Sequence, residues 1–236
     1  MRKHYLVTGA SSGIGKAIAQ QILNAGNRVI ALGRRKPDWT DSAHLEFVEV
    51  DLSCRKSTAD CLKILKKRQI NLDGVVSNAG QGIFGQLESH STEALYSAID
   101  LNLTAHILIA RALLPDMKRR GSGCFVFMGS EAALEGARNG AVYCATKFAL
   151  RGLAQSLRAD VASNGVRVSI VHPGMVNTAF FDDLWFRPGA QVGQHLTAQD
   201  VAHTVWHVLN GPSGMVIDEV TVSPQVKVVS FDRKTR

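Results

Sequence analysis

Tyr143 and Lys147 stand four residues apart in a helical pattern, which puts both side chains on one face, a single turn from each other. A phenol near its ordinary pKa of about 10 is a poor base at neutral pH, but a neighbouring ammonium favours the phenolate, so Tyr143 beside Lys147 can exchange a proton. Ser130 closes the apolar run Phe125-Val126-Phe127-Met128-Gly129, at the carboxyl end of an expected strand, where its hydroxyl can bond a substrate oxygen. Together the three groups suit acid–base chemistry at a carbon–oxygen bond. Singly, each has a plain structural explanation, because tyrosines cap cores, lysines solvate helices and serines start turns.

A second group of residues suits a phosphate ligand. Thr8-Gly9-Ala10-Ser11-Ser12-Gly13-Ile14-Gly15-Lys16 runs from an apolar segment straight into a helical pattern. Glycines there let the backbone approach a pyrophosphate, whose charge meets the positive end of the helix. The spacing G-x-x-x-G-x-G differs from the commoner fingerprint G-x-G-x-x-G, and such turns also serve plain strand-to-helix packing. A dinucleotide site brings a second test about 20 residues on, where an acidic residue meets the ribose hydroxyl of NAD. Here the second apolar segment ends Leu32-Gly33-Arg34-Arg35, with no carboxylate and two guanidiniums, which favours a 2′-phosphate and so NADP(H). A bound nicotinamide would add a further cation beside Tyr143. His203 and His207 are four apart and mimic a metal pair, but no nearby Glu completes a metalloprotease motif; they are assigned to surface or packing, and no metal is expected.

Positioning these groups falls to a chain of 236 residues, 45% hydrophobic and 20% charged, whose 6 Pro and 21 Gly are spread without a linker or low-complexity tract. That is the size of one domain with a sizeable core, expected to span 1–236. Short Val- and Ile-rich runs alternate with helical patterns, the mark of βα repeats around a parallel sheet. The patterns predict strands over 4–8, 28–33, 46–50, 73–77, 123–129, 166–172 and 216–222, and helices over 14–25, 56–68, 92–118 with a break near Pro115, 142–163 and 198–209. Thr197 and Asp200 read as the cap of that last helix. The stretch 178–195 breaks the alternation, with Phe180, Phe181, Leu184, Trp185 and Phe186 beside Pro188, Gly189 and Gly193. It follows the carboxyl end of the sixth strand and reads as a substrate lid, or else as a helix pair covering exposed core.

Composition narrows the classes further. The formal net charge of +7 comes from 27 Lys and Arg against 20 Asp and Glu, but the basic residues fall in short groups at expected helix ends, as in Lys66-Lys67-Arg68, Lys118-Arg119-Arg120 and the tail Arg233-Lys234-Thr235-Arg236. No basic stripe interleaved with aromatics speaks for nucleic acid. Cys54, Cys61, Cys124 and Cys144 form neither a CxxC pair nor a disulfide framework, which suits a reducing cytoplasm. His4-Tyr5-Leu6-Val7 enters a strand without the pattern of a signal peptide, and no stretch approaches the roughly 18 uninterrupted apolar residues of a membrane span, so no membrane partner is expected.

Thr8-Gly9-x-x-x-Gly13-Ile14-Gly15, Asn78-Ala79-Gly80, Ser130, Tyr143-Cys144-Ala145-Thr146-Lys147 and Pro173-Gly174, in this order and at these intervals, resemble the motifs of the short-chain dehydrogenase/reductase family over about residues 5 to 224. The resemblance implies an α/β fold, a Rossmann-type three-layer αβα sandwich with a seven-stranded parallel sheet. It also implies a catalytic tetrad of Asn102, Ser130, Tyr143 and Lys147, in which Asn102 holds a water in a proton relay to the lysine. By the same resemblance Gly9, Ser11, Ser12, Gly13, Ile14 and Gly15 cradle the dinucleotide, Arg34 and Arg35 meet the 2′-phosphate, and Asp51, next to Leu52, bonds the adenine amino group. Asn78, Ala79 and Gly80 line the cofactor cleft, Lys147 also holds the nicotinamide ribose near Tyr143, and the backbone after Pro173 and Gly174, with Val176 and Thr178, grips the carboxamide. Gly129-Ser130 stands where the family often has Ser-Ser, and Ser77-Asn78 where it often has Asn-Asn; neither departure removes a catalytic group.

The expected activity is an NADP(H)-dependent interconversion of a small carbonyl compound and its alcohol, in a homodimer or homotetramer paired through two long central helices. The rivals are an NAD-linked member of the family and a catalytically idle dinucleotide-sensing or nucleic-acid-binding scaffold. General carbonyl or 3-hydroxy acid reductases are the nearest analogy. The residues that shape the substrate, around Gln81 to Phe84, Glu131 to Leu134 and 178–195, lie outside the motifs.

Overall fold

The structure, a computed structural model, describes residues 2–39, 41–212 and 214–231. Seven strands form one sheet in the order β3-β2-β1-β4-β5-β6-β8, every neighbouring pair parallel. They are β1 (His4–Thr8), β2 (Arg28–Gly33), β3 (Leu45–Glu49), β4 (Gly74–Ser77), β5 (Gly123–Met128), β6 (Val166–Pro173) and β8 (Glu219–Val222). Helices cover both faces: α1 (Gly13–Asn24), α2 (Arg55–Lys67), α3 (Thr92–Ile99), α4 (Ala105–Arg120), α5 (Ala141–Val161) and α6 (Ala198–Leu209). This is the Rossmann-type αβα sandwich.

The central strands are apolar on both faces because both are covered, so they read as continuous runs with no polar alternation. Alternate residues nonetheless feed different layers. Leu6, Val75, Phe125, Phe127 and Ile170 pack with Ile109, Leu113, Met117 and Leu150 of α4 and α5. Tyr5, Val7, Val126, Met128 and Val171 pack with Ile18, Ile22, Val201, Val205 and Val208 of α1 and α6. Each such fully buried aliphatic or aromatic side chain stabilises the fold by about 1.5–3 kcal/mol. Chain order reverses between β1 and β4, and the crevice at the carboxyl ends of those strands is where ligands bind in open α/β sheets.

Two expectations need correction. The long helical stretch is not broken at Pro115, which lies inside α4. Pro115 and Arg111 are both exposed, so the carbonyl that loses its partner is open to water. The irregularity falls earlier, at Asp100–Thr104, which winds as a π turn between α3 and α4. Within Thr92–Arg120 an 18-residue window has a mean hydropathy of 1.3, and half of that window is buried inside the protein, as in a core helix.

The 178–195 segment is likewise not a helix pair. It holds one 3₁₀ turn, Ala179–Phe181, and a short strand β7 (Phe186–Pro188) that pairs antiparallel with β9 (Val229–Phe231). The basic groups do sit where helices end: Lys66 and Lys67 in the last turn of α2, Lys118 to Arg120 in that of α4. Arg68 forms a two-pronged pair with Glu46 (2.5 and 2.6 Å). The tail 233–236 lies outside the described residues.

At the start of α6, Thr197 Oγ1 accepts from the Asp200 N–H (3.2 Å), and the Asp200 carboxylate accepts from the Thr197 N–H (2.8 Å), a reciprocal cap. The Thr197 hydroxyl, with its backbone N–H, holds the Asp200 carboxyl below its ordinary value. Thr197→Ala should lower unfolding stability by about 1 kcal/mol, read in a thermal melt as a drop of roughly 2–4 °C. A carboxyl with a depressed pKa stabilises above its unfolded value and loses that contribution as pH falls through its folded one, so the deficit should narrow in acid.

Candidate active site

The crevice begins with Thr8, the last residue of β1. Its Oγ1 accepts from the N–H groups of both Asn78 and Ala79 (2.8 Å each), and the Asn78 amide donates to the Thr8 carbonyl (2.9 Å). Those bonds lock the turn after β1 to the turn after β4. Gly9 then adopts φ +68°, a left-handed conformation that side chains resist, and Gly15 packs so tightly that a Cβ would lie 2.2 Å from the Gly9 carbonyl oxygen. Ser12 precedes α1 without a side-chain cap bond, and the first helical turn carries no acidic residue, so its N–H groups and partial positive charge stay available to an anion. Thr178 lies over this helix start, with its Cβ 3.6 Å from where a Cβ on Gly13 would be. Trp39, which the sequence reading missed, donates its indole N–H to the Ala10 carbonyl (3.2 Å) and braces the same turn.

At the ends of β2 and β3, Arg34 and Arg35 are exposed. Asp51 Oδ1 accepts from the Ser53 hydroxyl (2.7 Å) and N–H (3.0 Å). The Ser53 hydroxyl first, with help from the Arg34 charge, keeps this carboxyl below its ordinary range. The neighbouring Leu52 is buried.

Beyond β4, Asn78, Ala79 and Gly80 turn past a buried imidazole that the sequence reading also missed. His106 Nε2 lies 3.0 Å from the Ala79 carbonyl, and Nδ1 2.7 Å from Ser77 Oγ. A carbonyl only accepts, so the proton sits on Nε2 and the serine donates to Nδ1. Burial, with the Lys147 charge, takes this histidine down to about 3, and it stays neutral. Ser77, one of the departures from the family pattern, therefore has a defined partner.

The structure brings the four expected catalytic residues together. Asn102, fully buried in the π turn, accepts from the Gln81 N–H and donates to the Gln81 carbonyl (2.9 Å each). A Cβ on Gly80 would lie 3.2 Å from Asn102 Oδ1 and 3.8 Å from Lys147 Nζ, so one small opening faces both. Ser130 Oγ accepts from the Ala132 N–H (3.1 Å) and lies near enough to the Tyr143 hydroxyl to pull its pKa down. Lys147 Nζ donates to the Met128 carbonyl (2.9 Å) and stands 5.7 Å from the centre of the Tyr143 ring.

Electrostatics here reverse one expectation. Burial pushes the Tyr143 phenol up to about 12, against the opposing bond from Ser130. The same burial pulls Lys147 down to about 8. Desolvation disfavours both charges, and it outweighs the help an ammonium at this distance gives a phenolate. The resting phenol is protonated at neutral pH and suited to donate.

Pro173 and Gly174 close β6; the Gly174 N–H donates to the Val222 carbonyl (2.8 Å), and Val176 is buried and bridges to Leu196. Aromatic rings wall the open side of Tyr143, with Phe84 at 5.0 Å and Phe180 at 6.0 Å between ring centres. Phe186 stands edge-on to Phe84 (4.9 Å), and Trp185 stacks on Phe231 of β9 (5.4 Å). The C-terminal strand, not foreseen as part of the site, thus holds the 178–195 segment in place. Its approach adds Lys227, whose Nζ is 2.9 Å from Glu131 Oε1. His203 and His207 are exposed on α6, and among the described residues no three His, Cys, Asp or Glu gather as a metal site.

Known proteins are similar to this chain over most of its length. The family model described as short chain dehydrogenase matches residues 3–186. An uncharacterized oxidoreductase of Staphylococcus epidermidis is 31% identical over 226 residues, 93% of this chain and 96% of that one. Among solved structures, serine dehydrogenase from Escherichia coli is similar with a TM-score of 0.80 and 30% identity, covering 93% of this chain and 96% of that one. Alcohol dehydrogenase from the archaeon Thermococcus sibiricus, complexed with 5-hydroxy-NADP, is similar with a TM-score of 0.82 and 27% identity, covering 94% and 96%. The family model alone takes in most of the chain, and the chain belongs to the short-chain dehydrogenase family of oxidoreductases.

Proposed function

We propose that this protein interconverts a small carbonyl compound and its alcohol with NADP(H). The observation that carries the reading is the gathering of Ser130, Tyr143, Lys147 and Asn102 beside the crevice that the glycine turn opens. That turn fits a dinucleotide: a side chain on Gly15 would fill the cradle, and the first N–H groups of α1 face it uncapped. Gly9, Ser11, Ser12, Gly13, Ile14 and Gly15 would hold the pyrophosphate, and Asp51, with Leu52 beside it, the adenine. Asn78 to Gly80 would line the cleft, Tyr143 and Lys147 would meet the nicotinamide ribose, and Pro173, Gly174, Val176 and Thr178 the carboxamide. Gly33 followed by Arg34 and Arg35 favours the 2′-phosphate, and the similarity to an alcohol dehydrogenase complexed with 5-hydroxy-NADP supports it.

When bound, the cofactor supplies or takes up the hydride. Ser130 polarises the substrate oxygen by donating a hydrogen bond to it. Tyr143 gives that oxygen its proton, which the raised pKa keeps in place at neutral pH. Lys147 stabilises the phenolate left behind, and Asn102 completes the proton relay to the lysine. The rings of Phe84, Phe180 and Phe186 keep water from the reacting carbon. The protein works as a homodimer or homotetramer in a reducing cytoplasm, paired through α4 and α5, where Ile107 and Phe148 are exposed.

NADPH should bind at least about tenfold more tightly than NADH, since a charge-assisted contact to phosphate is worth roughly 1.5–3 kcal/mol, and Arg34→Ala should erase most of the difference. Equal dissociation constants in the parent would remove the NADP assignment. A panel of aldehydes, ketones and hydroxy acids with both cofactors tests the activity. Tyr143→Phe should cut turnover by about 10² to 10⁴ with NADPH affinity nearly unchanged, whereas Lys147→Ala should damage both. Tight NADPH binding without turnover anywhere in the panel would point to a sensing scaffold. We also propose that 178–195 acts as a lid; its amide exchange should slow when cofactor and an inhibitor bind, and unchanged exchange would mark it as static cover.

A further inference from the structure

Ser130 follows β5 by two residues, and its hydroxyl can face Tyr143 only if its main chain is held. The next strand supplies the hold. His172 of β6 is fully buried, and its Nδ1 lies 3.3 Å from the Ser130 nitrogen and 3.0 Å from the Ser130 carbonyl oxygen, across 42 residues of sequence. Its Nε2 lies 2.8 Å from Glu219 Oε1 in β8. Arg151, one turn beyond Lys147 on α5, brings its Nε to 2.7 Å from the same oxygen and donates through Nη2 to Oε2 (3.2 Å). Sharing Oε1, neither His172 Nε2 nor Arg151 Nε is aligned with it as a hydrogen bond, yet both are paired with the charge.

Space at this point is already committed. A Cβ on Gly129 would lie 2.4 Å from His172 Nδ1, so the imidazole occupies the volume that any side chain at 129 requires. That is the position where the family resemblance led one to expect serine. Glu219 favours a proton on Nε2 and the Ser130 carbonyl, 3.0 Å away, favours one on Nδ1, so the imidazole bridges the Ser130 main chain to β8.

We propose that His172, backed by Glu219 and Arg151, is a positioning residue for Ser130: the imidazole bridges the Ser130 main chain to the Glu219 carboxylate and so sets where the serine hydroxyl meets the substrate oxygen. Gly129 is the complement that makes room for it. This rests on the reading of Ser130 as the group that polarises the substrate.

Steady-state reduction of benzaldehyde and of the panel's best ketone by NADPH, together with NADPH binding, tests it. His172→Leu keeps most of the volume and removes the bridge; turnover should fall at least about tenfold with KM and NADPH affinity within about twofold. His172→Asn returns an amide, able to donate and to accept, near the Nδ1 position and should recover most of the loss, which a purely space-filling role does not predict. In a Ser130→Ala background, His172→Leu should cost nothing further. Nitrogen-15 spectra of the parent with labelled histidine should show both ring nitrogens of His172 hydrogen-bonded, a readout that survives even if the leucine variant does not fold. Full turnover in His172→Leu, or an Nδ1 without a hydrogen bond in the parent, overturns the proposal. Unchanged turnover in Ser130→Ala would instead overturn the reading of Ser130 itself.

Discussion

One hydroxyl, Thr8 Oγ1, accepts two backbone N–H groups from the turn after β4, and the crevice between β1 and β4 is organised around that contact. At this point of the sheet the connections leave in opposite directions, and a gap would open between the two turns without a bridge. Thr8 bridges it while satisfying N–H groups that the strands no longer pair. Gly15 can then settle against the Gly9 carbonyl and Asn78, which brings the uncapped start of α1 to the crevice floor. A methyl group at Gly15 would force those pieces apart, so the anion-binding end of the helix depends on the same close approach.

Burial governs the opposite wall. Tyr143, Lys147, His106 and His172 are all buried, and desolvation is the first cause of each one's shift toward its neutral form. A protonated phenol, a lysine drawn toward neutrality and two neutral imidazoles make a set that can pass protons without holding large unpaired charges in a low dielectric. The polar groups are satisfied mainly by backbone carbonyls and N–H groups, as with Lys147 on Met128 and Asn102 on Gln81. Each catalytic candidate is thereby tied to the end of a strand or to the π turn, and packing of the rigid sheet sets its position.

The aromatic wall is assembled differently. Phe84 comes from the loop after β4, Phe180 and Phe186 from the segment after β6, and Phe231 from the last described strand. The short pairing between β7 and β9, the Gly189–Val228 and Val226–Gly193 backbone bonds and the ring contacts hold this wall to the C-terminal stretch. An apolar cover built from these separate segments lies over a polar floor held by the sheet.

Local pattern was enough for much of this protein. Apolar runs of strand length alternating with helical periods marked all seven strands of the main sheet to within a few residues, the glycine turn stood out by composition, and the four-residue spacing of Tyr143 and Lys147 put them on one helix face. These features depend on residues near one another in the chain, whose geometry is set by backbone period and side-chain type. The tertiary structure alone decided the rest. Trp39 on Ala10, His106 on Ser77 and Ala79, and His172 on Ser130 are contacts between segments 27 to 42 residues apart, and no local period encodes them. The pairing of β7 with β9, the tolerance of Pro115 on an exposed helix face and the upward shift of Tyr143 likewise follow from which surfaces end up against water and which against protein. The types and order of the chemical groups belong to the sequence; their burial, and with it their protonation, arises only when the sheet and its helices close around them.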